Sequence, residues 1–507
     1  MNLLKDNWIP VKTGNEEVQL IKLQDLLCQE EEWQLCLNRD DMELAALQLL
    51  VCLVQVIFIP ENKRQLLERW QKPLTSEKYE AGIQPFLDWF DLLHPKYPFM
   101  QIAKIDGKKG DKNWSSLQKL FVGLPEGTSK SPSSNAFFNE VKEIETSELS
   151  FVAIALFQQA TNGLSLGGKA FSCGLKGSMP LTTLLRGDTV RGSIWLNILS
   201  QEALYKYAPH FLVLNEDYPV WVREAKRGKE KEVAHEIGLL RGLFWQPAQI
   251  RLTFDDKQQP TGFVKKVGLC KIKGIWHHPH TPVDLTIFAT QDAEAKKRPF
   301  LSARADQPLW SDLLSFLYSR SQFNPEKREG FGRALVVQQY HDAFARITKT
   351  VNLGVGGYVK GKSAESLAAR RHEMYGLDAS WNENFANIQF IVDLGISIQK
   401  ILLSAVIKFG EIGVDREKPR KKKNKLFNGL KLRSSQIYFR NSEAVMHSIL
   451  RNINIKDAEV AKQKFSKIAI GTFDFLITPM MSSDPMMIRA GIKSRAFLIA
   501  GLKKLEG

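Results

Sequence analysis

The sequence contains little cysteine: five residues among 507, scattered and without a Cys-x-x-Cys pair. An odd, dispersed set of this kind is neither the framework of a disulfide-rich secreted domain nor a zinc-binding pattern. We interpret the cysteines as reduced thiols, most of them in the core. They are Cys28, Cys36, Cys52, Cys173 and Cys270.

Membrane and export signals are also missing. The apolar run at residues 44–60 is interrupted by Gln48 and Gln55, which makes it too short and too polar to span a bilayer. The opening MNLLKDNWIP has no basic-then-apolar signal pattern. We therefore expect a cytoplasmic protein with no membrane partner.

Signatures of catalysis are few. No His-Glu-x-x-His motif occurs, and no glycine pattern has the context of a dinucleotide site. His278 and His280 could supply two metal ligands, but no third ligand stands at a recognisable spacing. We expect a structural turn there, and neither a metal ion nor a cofactor.

Positive charge is what the sequence has in excess. The net charge is +15, and residues 381–507 carry 22 Lys+Arg against 11 Asp+Glu. This surplus favours nucleic acid as a partner, although a solvated tail or a surface that docks on an acidic protein would give the same count. The densest run is Arg420, Lys421, Lys422 and Lys423, expected on an exposed connection where it could contact phosphates.

The spacing of apolar residues changes near residue 378. Before it, short strand and helix patterns alternate irregularly, which is typical of an α+β fold and not of a doubly wound sheet. After it, residues 383–409, 434–452, 457–475 and 486–504 show helical spacing. We predict a large mixed α+β domain at 1–378 and a basic four-helix bundle at 379–507.

Three local predictions concern the first domain. A helix is expected to begin with Asp40 as its cap, with Glu43 reaching back in an acidic capping box. A second helix is expected at residues 192–208, and a strand at residues 211–214.

Two polar segments of the first domain carry unusual residues. Residues 106–148 form a long Gly-, Ser- and Lys-rich stretch. Towards its far end, before Asn139, lie two aromatics, Phe137 and Phe138, which either tuck the loop onto the core or grip a partner. The pair Gly167 and Gly168 is either a simple turn or a place where backbone approaches a nucleotide closely.

The pattern Gly356-x-x-x-x-Gly361-Lys362-Ser363 satisfies the P-loop formula for binding nucleotide phosphates. Residues 351–355 read as the strand before it, residues 364–373 as the helix after it, and residues 390–393 imitate a Walker B strand. A P-loop domain needs further parallel strands after the motif, and a helical bundle follows here instead. A P-loop NTPase therefore remains an alternative reading, as does a purely structural assembly subunit.

Several stretches in order along about the first 375 residues resemble the large subunit of the type I-E CRISPR surveillance complex, Cascade (the CasA family). No single stretch is specific, but the ordered set is. The stretches are MNLLKDNWIPV at 1–11, LNRDDMELAAL at 37–47, PFMQ at 98–101, AIALF at 153–157, RGLFWQPA at 241–248, WHHPH at 276–280, GGY at 356–358 and RRH at 370–372.

The resemblance implies a non-catalytic DNA-recognition subunit near the 5′ handle of the CRISPR RNA. In that family the large subunit reads the protospacer-adjacent motif (PAM) in double-stranded DNA, helps to open the duplex for R-loop formation and recruits the helicase–nuclease. The implied partners are the CRISPR RNA-loaded Cascade subunits, the RNA handle, the DNA target and the helicase–nuclease of this antiviral defence.

Residue by residue, the resemblance assigns two recognition loops and a wedge. The PAM-reading glycine loop falls on Ser165, Leu166, Gly167 and Gly168, followed by Lys169. The loop that anchors the subunit to its neighbours and the RNA handle falls on Phe137, with Phe138 and Asn139 beside it. The strand-separating wedge falls on Lys360, Gly361, Lys362, Ser363 and Ala364.

Two positions depart from the family pattern. The wedge segment is longer than usual and lacks the glutamine common at its tip. The lysine that approaches the PAM after a Thr-Gly-Phe motif is replaced by Val267, which leaves two alternatives: either Lys265 or Lys266 makes that contact, or the PAM preference differs.

Overall fold

The computed structural model describes most of the chain, and every structural statement below refers to the residues that it describes. These are residues 1–124, 127–128, 131–132, 146–163, 174–177, 179–212, 216–266, 268, 270–283, 300–305, 307–319, 331–348, 350–360, 367–413, 420–451, 457–481 and 484–506.

Helices predominate in this part of the chain. Ten precede residue 350: α1 (Leu23–Cys28), α2 (Asp40–Ile57), α3 (Lys63–Gln71), α4 (Ser76–Ile83), α5 (Leu149–Thr161), α6 (Val190–Leu196), α7 (Gln201–Tyr207), α8 (Leu239–Leu243), α9 (Leu313–Leu317) and α10 (Leu335–Ala343). Four longer ones follow: α11 (Phe385–Gly413), α12 (Arg420–Leu450), α13 (Asp457–Ile477) and α14 (Pro485–Lys503).

The strands are short and form several small sheets. They are β1 (Ile9–Lys12), β2 (Val18–Ile21), β3 (Gln34–Leu35), β4 (Trp114–Ser116), β5 (Gly127–Thr128), β6 (Ser131–Pro132), β7 (Thr182–Arg186), β8 (Lys231–Val233), β9 (Gln249–Phe254), β10 (Pro260–Lys266), β11 (Lys271–Lys273), β12 (Thr350–Lys360) and β13 (Leu367–Asp378). Three sheets have three strands, in the orders β2-β1-β3, β4-β10-β9 and β13-β12-β7. The predicted α+β class, with a helical C-terminal region, is confirmed.

The chain divides into two compact units. The first contains Met1–Ala303 and Tyr318–Met374, and the second contains Arg304–Leu317 and Tyr375–Gly507. The second unit thus includes a segment that the sequence prediction assigned to the first domain. Trp310 explains why this segment belongs to the second unit. Its ring is fully buried, lies edge to face with Phe439 and is stacked with Phe465, and both phenylalanines belong to the C-terminal helices.

Two apolar helices form the centre of the first unit. Almost every residue of α2 and α5 is buried, including the polar side chains of Gln48 and Gln55 that interrupt the apolar run of α2. Gln55 is satisfied inside the core, since its amide group donates to Leu199 O at 2.9 Å and accepts from Leu199 N at 2.7 Å. Buried hydrogen bonds thus let these glutamines lie in the core.

The second unit is built around α11. This helix packs against α12, α13 and α14, and it buries an apolar face that runs from Ile388 to Phe409. By length and composition alone α11 could cross a membrane, which was not predicted from the sequence. Half of the residues in its most apolar 18-residue stretch are buried within the protein. Its surroundings are those of a core helix in a bundle.

Two local predictions of the first unit differ from the structure, and for one of them side chains explain why. The helix expected at 192–208 is two helices, α6 and α7, because Asn197 exchanges hydrogen bonds with the main chain of Leu185 and ends the first one. Ser200 then caps the second by accepting from Ala203 N at 3.1 Å. Of the strand predicted at 211–214, the described residues Phe211 and Leu212 lie in a 3-10 turn, Pro209–Leu212, and the others lie outside the described residues.

The basic run is also placed differently from the prediction. Arg420, Lys421, Lys422 and Lys423 are the first residues of α12 and do not lie on a connection. Lysine and arginine are good helix formers, and no glycine or proline interrupts the sequence from residue 420 until Gly429. Charge density alone was therefore a poor guide to the helix boundary.

Candidate nucleic-acid interface

Several of the predicted contact residues lie outside the described residues. These are the glycine-loop residues 165–169, the anchoring residues 137–139 and the wedge residues 361–364. Lys360 is the last residue of β12, and Lys265 and Lys266 end β10. The structure does describe the residues on either side of the first and third segments, and their contacts follow.

A buried carboxylate, that of Asp41, lies where four elements meet. Its side chain is 7% exposed and forms an ion pair with Arg39, whose Nη2 lies 2.6 Å from Asp41 Oδ2. Tyr358 OH donates to the same oxygen at 2.7 Å, and Gln158 Nε2 donates to it at 3.1 Å. Arg370 Nη1 approaches the other oxygen at 3.4 Å. We call these five residues the Asp41 cluster.

The Asp41 cluster connects the elements that flank two predicted DNA-contacting segments. Gln158 belongs to α5, which ends shortly before the predicted glycine loop. Tyr358 and Arg370 belong to β12 and β13, the strands on either side of the predicted wedge. The Asp41 carboxylate, at the start of α2, therefore joins α5 to the strands β12 and β13.

The electrostatics of the cluster favour a charged Asp41. Burial alone would raise the pKa of this carboxyl group, but the hydrogen bond and charge of Arg39, together with the Tyr358 hydroxyl, outweigh it and lower the pKa below its usual value. Burial and the neighbouring Asp41 charge raise the pKa of Tyr358 well above its usual value. The phenol therefore keeps its proton and remains a donor.

A second buried network, around Asn162, lies next to the first. Asn162 Nδ2 donates to Gln48 Oε1 at 2.7 Å, and Asn162 Oδ1 accepts from Lys176 Nζ and from Thr182 Oγ1, each at 3.0 Å. A cavity of about 10 Å³ is lined by residues of both networks, among them Asp41, Gln158 and Asn162. Asn162 and Lys176 stand just before and just after residues 164–173, so the network fixes both flanks of the predicted glycine loop.

The side chain of Lys176 is buried. Its burial lowers its pKa to about 7, an effect that the nearby Cys52 thiol opposes only in part. Burial, with the charge of Lys176, also lowers the pKa of His280 to about 3, so this imidazole is neutral. Gln48 Nε2 lies 3.3 Å from His280 Nδ1, and the histidine thus joins the network as an uncharged partner.

The histidine turn has a structural explanation. His278 and His280 are buried, with their rings edge to face at 5.1 Å, and His280 N donates to His278 Nδ1 at 3.1 Å. In the part of the chain that the structure describes, no group of three or more potential metal ligands is found.

The geometry around Gly356 contradicts the P-loop reading. Gly356 lies inside β12, paired antiparallel with Thr182 of β7, and a Cβ there would lie 2.3 Å from Leu44 Cδ2. The helix predicted at 364–373 is wrong, because β13 begins at Leu367 and pairs with β12. The imitation of a Walker B strand at 390–393 lies within helix α11. The strand–loop–helix arrangement that a P-loop requires is therefore not formed.

The Thr-Gly-Phe motif and its two lysines lie on β10, the central strand of the β4-β10-β9 sheet. A Cβ on Gly262 would lie 2.5 Å from Ser115 O, so this glycine is needed for the close approach of β4. Lys265 is half-buried opposite Ile250, and Lys266 is exposed opposite Gln249. Of the two candidates for the contact near the PAM, Lys266 is the more accessible.

The Asp41 cluster was missed by sequence reasoning. Helix α2 begins at Asp40, its N-cap Arg39 makes no side-chain capping bond, and Glu43 pairs with Arg186 at 2.7 Å, so the predicted capping box is wrong. A signal was present in retrospect, because a second carboxylate, Asp41, lies in the first turn of a helix that is mostly apolar after it. Three of the stretches quoted above for a family resemblance, at 37–47, 356–358 and 370–372, contribute residues to the cluster.

A family comparison agrees with this resemblance. A family model described as CRISPR-associated protein Cse1 matches residues 2–470 of the chain. Since the match covers most of the 507 residues, the chain belongs to the CRISPR-associated Cse1 family. The suspected membership in the CasA (Cse1) large-subunit family is thus confirmed.

Solved structures share the fold over nearly the whole chain. The CasA protein of Thermus thermophilus aligns with a TM-score of 0.75 and 15% identity, covering 99% of each chain. Cse1 of Thermobifida fusca aligns with a TM-score of 0.71 and 17% identity, covering 99% of this chain and 98% of that one. A chain of a structure described as a CRISPR RNA-guided surveillance complex aligns at 0.67 and 14%, covering 98% and 99%. At these identities the likeness concerns the fold.

Replacing Asp41 by Asn tests the cluster. Because Arg39 would lose its carboxylate partner while staying largely buried, we expect the free energy of unfolding to fall by about 2–4 kcal/mol. The depressed pKa of Asp41 stabilises the fold above the usual carboxyl pKa of about 4, and this contribution is lost as the pH falls through the lower folded-state value. Asp41→Asn should therefore unfold at neutral pH in less urea and lose part of the acid dependence.

The matched control is Asp188→Asn, at an exposed aspartate. It should leave both the urea midpoint and the acid dependence close to those of the wild type. Equal stabilities for the wild type and Asp41→Asn at pH 7 would contradict the role of the cluster.

Replacing Lys176 by Met tests the second network. A folded-state pKa of about 7 means that, above pH 7, the unfolded chain holds a proton that the folded chain has lost. The lysine therefore makes stability rise with pH, by up to about 1.4 kcal/mol per pH unit. Between pH 7 and pH 8.5, urea unfolding should show this rise in the wild type and less of it in Lys176→Met. Lys257→Met, at an exposed lysine, is the control; a wild-type slope in Lys176→Met would refute the assignment.

Proposed function

We propose that this chain is the non-catalytic large subunit of a type I-E CRISPR RNA-guided surveillance complex, acting in the cytoplasm. Its task is to recognise the PAM in double-stranded DNA, to help open the duplex for R-loop formation and to recruit the helicase–nuclease. Its partners in this proposal are the RNA-loaded Cascade subunits and the 5′ handle of the CRISPR RNA. Membership in the Cse1 family and the fold shared with a chain of a surveillance complex support the proposal.

The observation that carries the proposal is the common support of two predicted DNA-contacting segments. The Asn162 network stands at both ends of residues 164–173, and Tyr358 and Arg370 stand on the strands on either side of residues 361–366. Gln158 joins the two by donating to Tyr358 OH at 2.5 Å as well as to Asp41. A PAM reader that also opens the duplex needs its contacting segments to start from a well-packed base, and the buried contacts among the flanking residues support this proposal.

The residue types suit the two tasks. Gly167 and Gly168 carry no side chains, so their backbone can enter the narrow minor groove where bulkier residues cannot. Lys360 and Lys362 could hold phosphates of separated strands beside the wedge. Phe137 and Phe138 would anchor the subunit on its neighbours and the RNA handle. Arg420, Lys421, Lys422 and Lys423, at the start of α12, remain proposed phosphate contacts.

The proposal is tested by adding the chain to an RNA-loaded complex that lacks its large subunit. Matched duplexes that differ only in the PAM are titrated without ATP, and binding and strand opening are followed by fluorescence. The wild type should bind the PAM duplex preferentially. Gly168→Asp should lose at least about tenfold in that affinity, because a carboxylate would meet the phosphates of the groove.

Gly14→Asp is the matched control, because a side chain at Gly14 would meet open space. It should bind like the wild type, and all three proteins should enter the complex equally well. Binding that is equal with and without the PAM, or no gain on adding the chain, would refute the proposal and leave an assembly role.

A further inference from the structure

A turn that no motif singled out presents three lysines beside β10. Residues 106–113, DGKKGDKN, lie between the buried Ile105 and the start of β4, and we call them the lysine turn. Asp111 closes the turn: its Oδ2 accepts from Lys108 N at 2.8 Å, and its main chain bonds Lys108 O at 3.2 Å and Trp114 N at 2.9 Å. The turn is therefore an organised structure.

The lysine turn is attached to the strand that carries Lys266. Lys265 N donates to Asn113 O at 3.0 Å, Trp114 pairs with Val264, and a Cβ on Gly107 would lie 2.6 Å from Val264 Cγ1. Side chains alternate along a strand, so Lys266 lies on the same face of β10 as Val264. Lys266 therefore emerges beside the turn.

The positive charges of this surface are not neutralised by neighbouring carboxylates. Lys108, Lys109, Lys112 and Lys266 are exposed, and none of them forms an ion pair with any residue that the structure describes. Lys109 Nζ lies 6.0 Å from the centre of the Trp114 ring, a contact that leaves its charge open to solvent.

The two carboxylates of the turn itself, Asp106 and Asp111, offset only part of the charge of the four lysines. Asp111 is used by the main chain of the turn, as described above. Asp106 acts on Arg251, which stands opposite Val264 on β9: burial lowers the pKa of Arg251, and the Asp106 charge opposes that shift. The surface therefore keeps a positive excess that an external anion can neutralise.

We propose that the lysine turn and Lys266 form a binding surface for the phosphate backbone of double-stranded DNA. This inference rests on the proposed function and adds sequence-independent affinity for DNA to it. Lysines are flexible point charges that suit phosphates, and they lack the planar, bidentate geometry that reads base edges. Duplex DNA presents one charge for about every 1.7 Å of its axis, so several neighbouring lysines can be occupied together. Lys266 makes the surface continuous with the strand already expected near the PAM.

The test is the triple variant Lys108→Gln, Lys109→Gln and Lys112→Gln in the assembled complex. Its affinity for PAM and non-PAM duplexes is measured over a range of salt concentrations. We expect a loss of about tenfold at about 0.1 M salt on both duplexes, and a fall of about 2–3 in the slope of log affinity against log salt concentration. The ratio between the two duplexes should not change, because phosphate contacts carry no sequence information.

The control triple, Lys5→Gln, Lys72→Gln and Lys78→Gln, removes the same charge from exposed positions elsewhere in the first unit. It should keep the wild-type slope. The inference is overturned if the lysine-turn triple matches this control, or if it instead fails to join the RNA-loaded complex, which would indicate an RNA or protein contact. Failure of the proposed function would be seen separately, as a wild type without PAM preference.

Discussion

The structure of the first unit depends on one buried carboxylate, Asp41. A lone charge in such a place would be strongly unfavourable, so its cost is offset only while Arg39, Tyr358, Gln158 and Arg370 all remain around it. These partners come from positions separated by more than 300 residues along the chain. The requirement to satisfy one charge therefore fixes α2, α5, β12 and β13 relative to each other.

The Asn162 network also holds separate parts of the chain together through buried polar groups, but its central group is a neutral amide. Lys176 is buried and donates to the amide oxygen of Asn162, an uncharged partner, so its pKa falls and the neutral amine becomes accessible near pH 7. One network is held by charge pairing and the other by hydrogen bonds to neutral groups, and both line a single small cavity. Together they join the described residues on either side of two chain segments through buried hydrogen bonds and ion pairs.

Periodicity and family likeness predicted much of the fold but not the centre of the site. The four C-terminal helices followed from apolar spacing, because packing and local propensity agree there. Residues 367–373 include good helix formers but join a sheet, since pairing with β12 outweighs propensity. Asp41 was missed because two adjacent carboxylates at a helix start resemble a cap, and only the fold brings Tyr358 and Arg370 to one of them.

The central claim is that residues 164–173 and 361–366, supported by one buried base, meet the PAM region together. It is tested most directly by photo-crosslinking from iodinated bases at the PAM in the assembled complex, with the attached peptides identified by mass spectrometry. The account predicts crosslinks in peptides that contain Gly167 and Gly168 from the PAM itself, and in peptides that contain Lys360 from the first unpaired bases. Crosslinks confined to the C-terminal helices, Phe385–Gly413 through Pro485–Lys503, would contradict it.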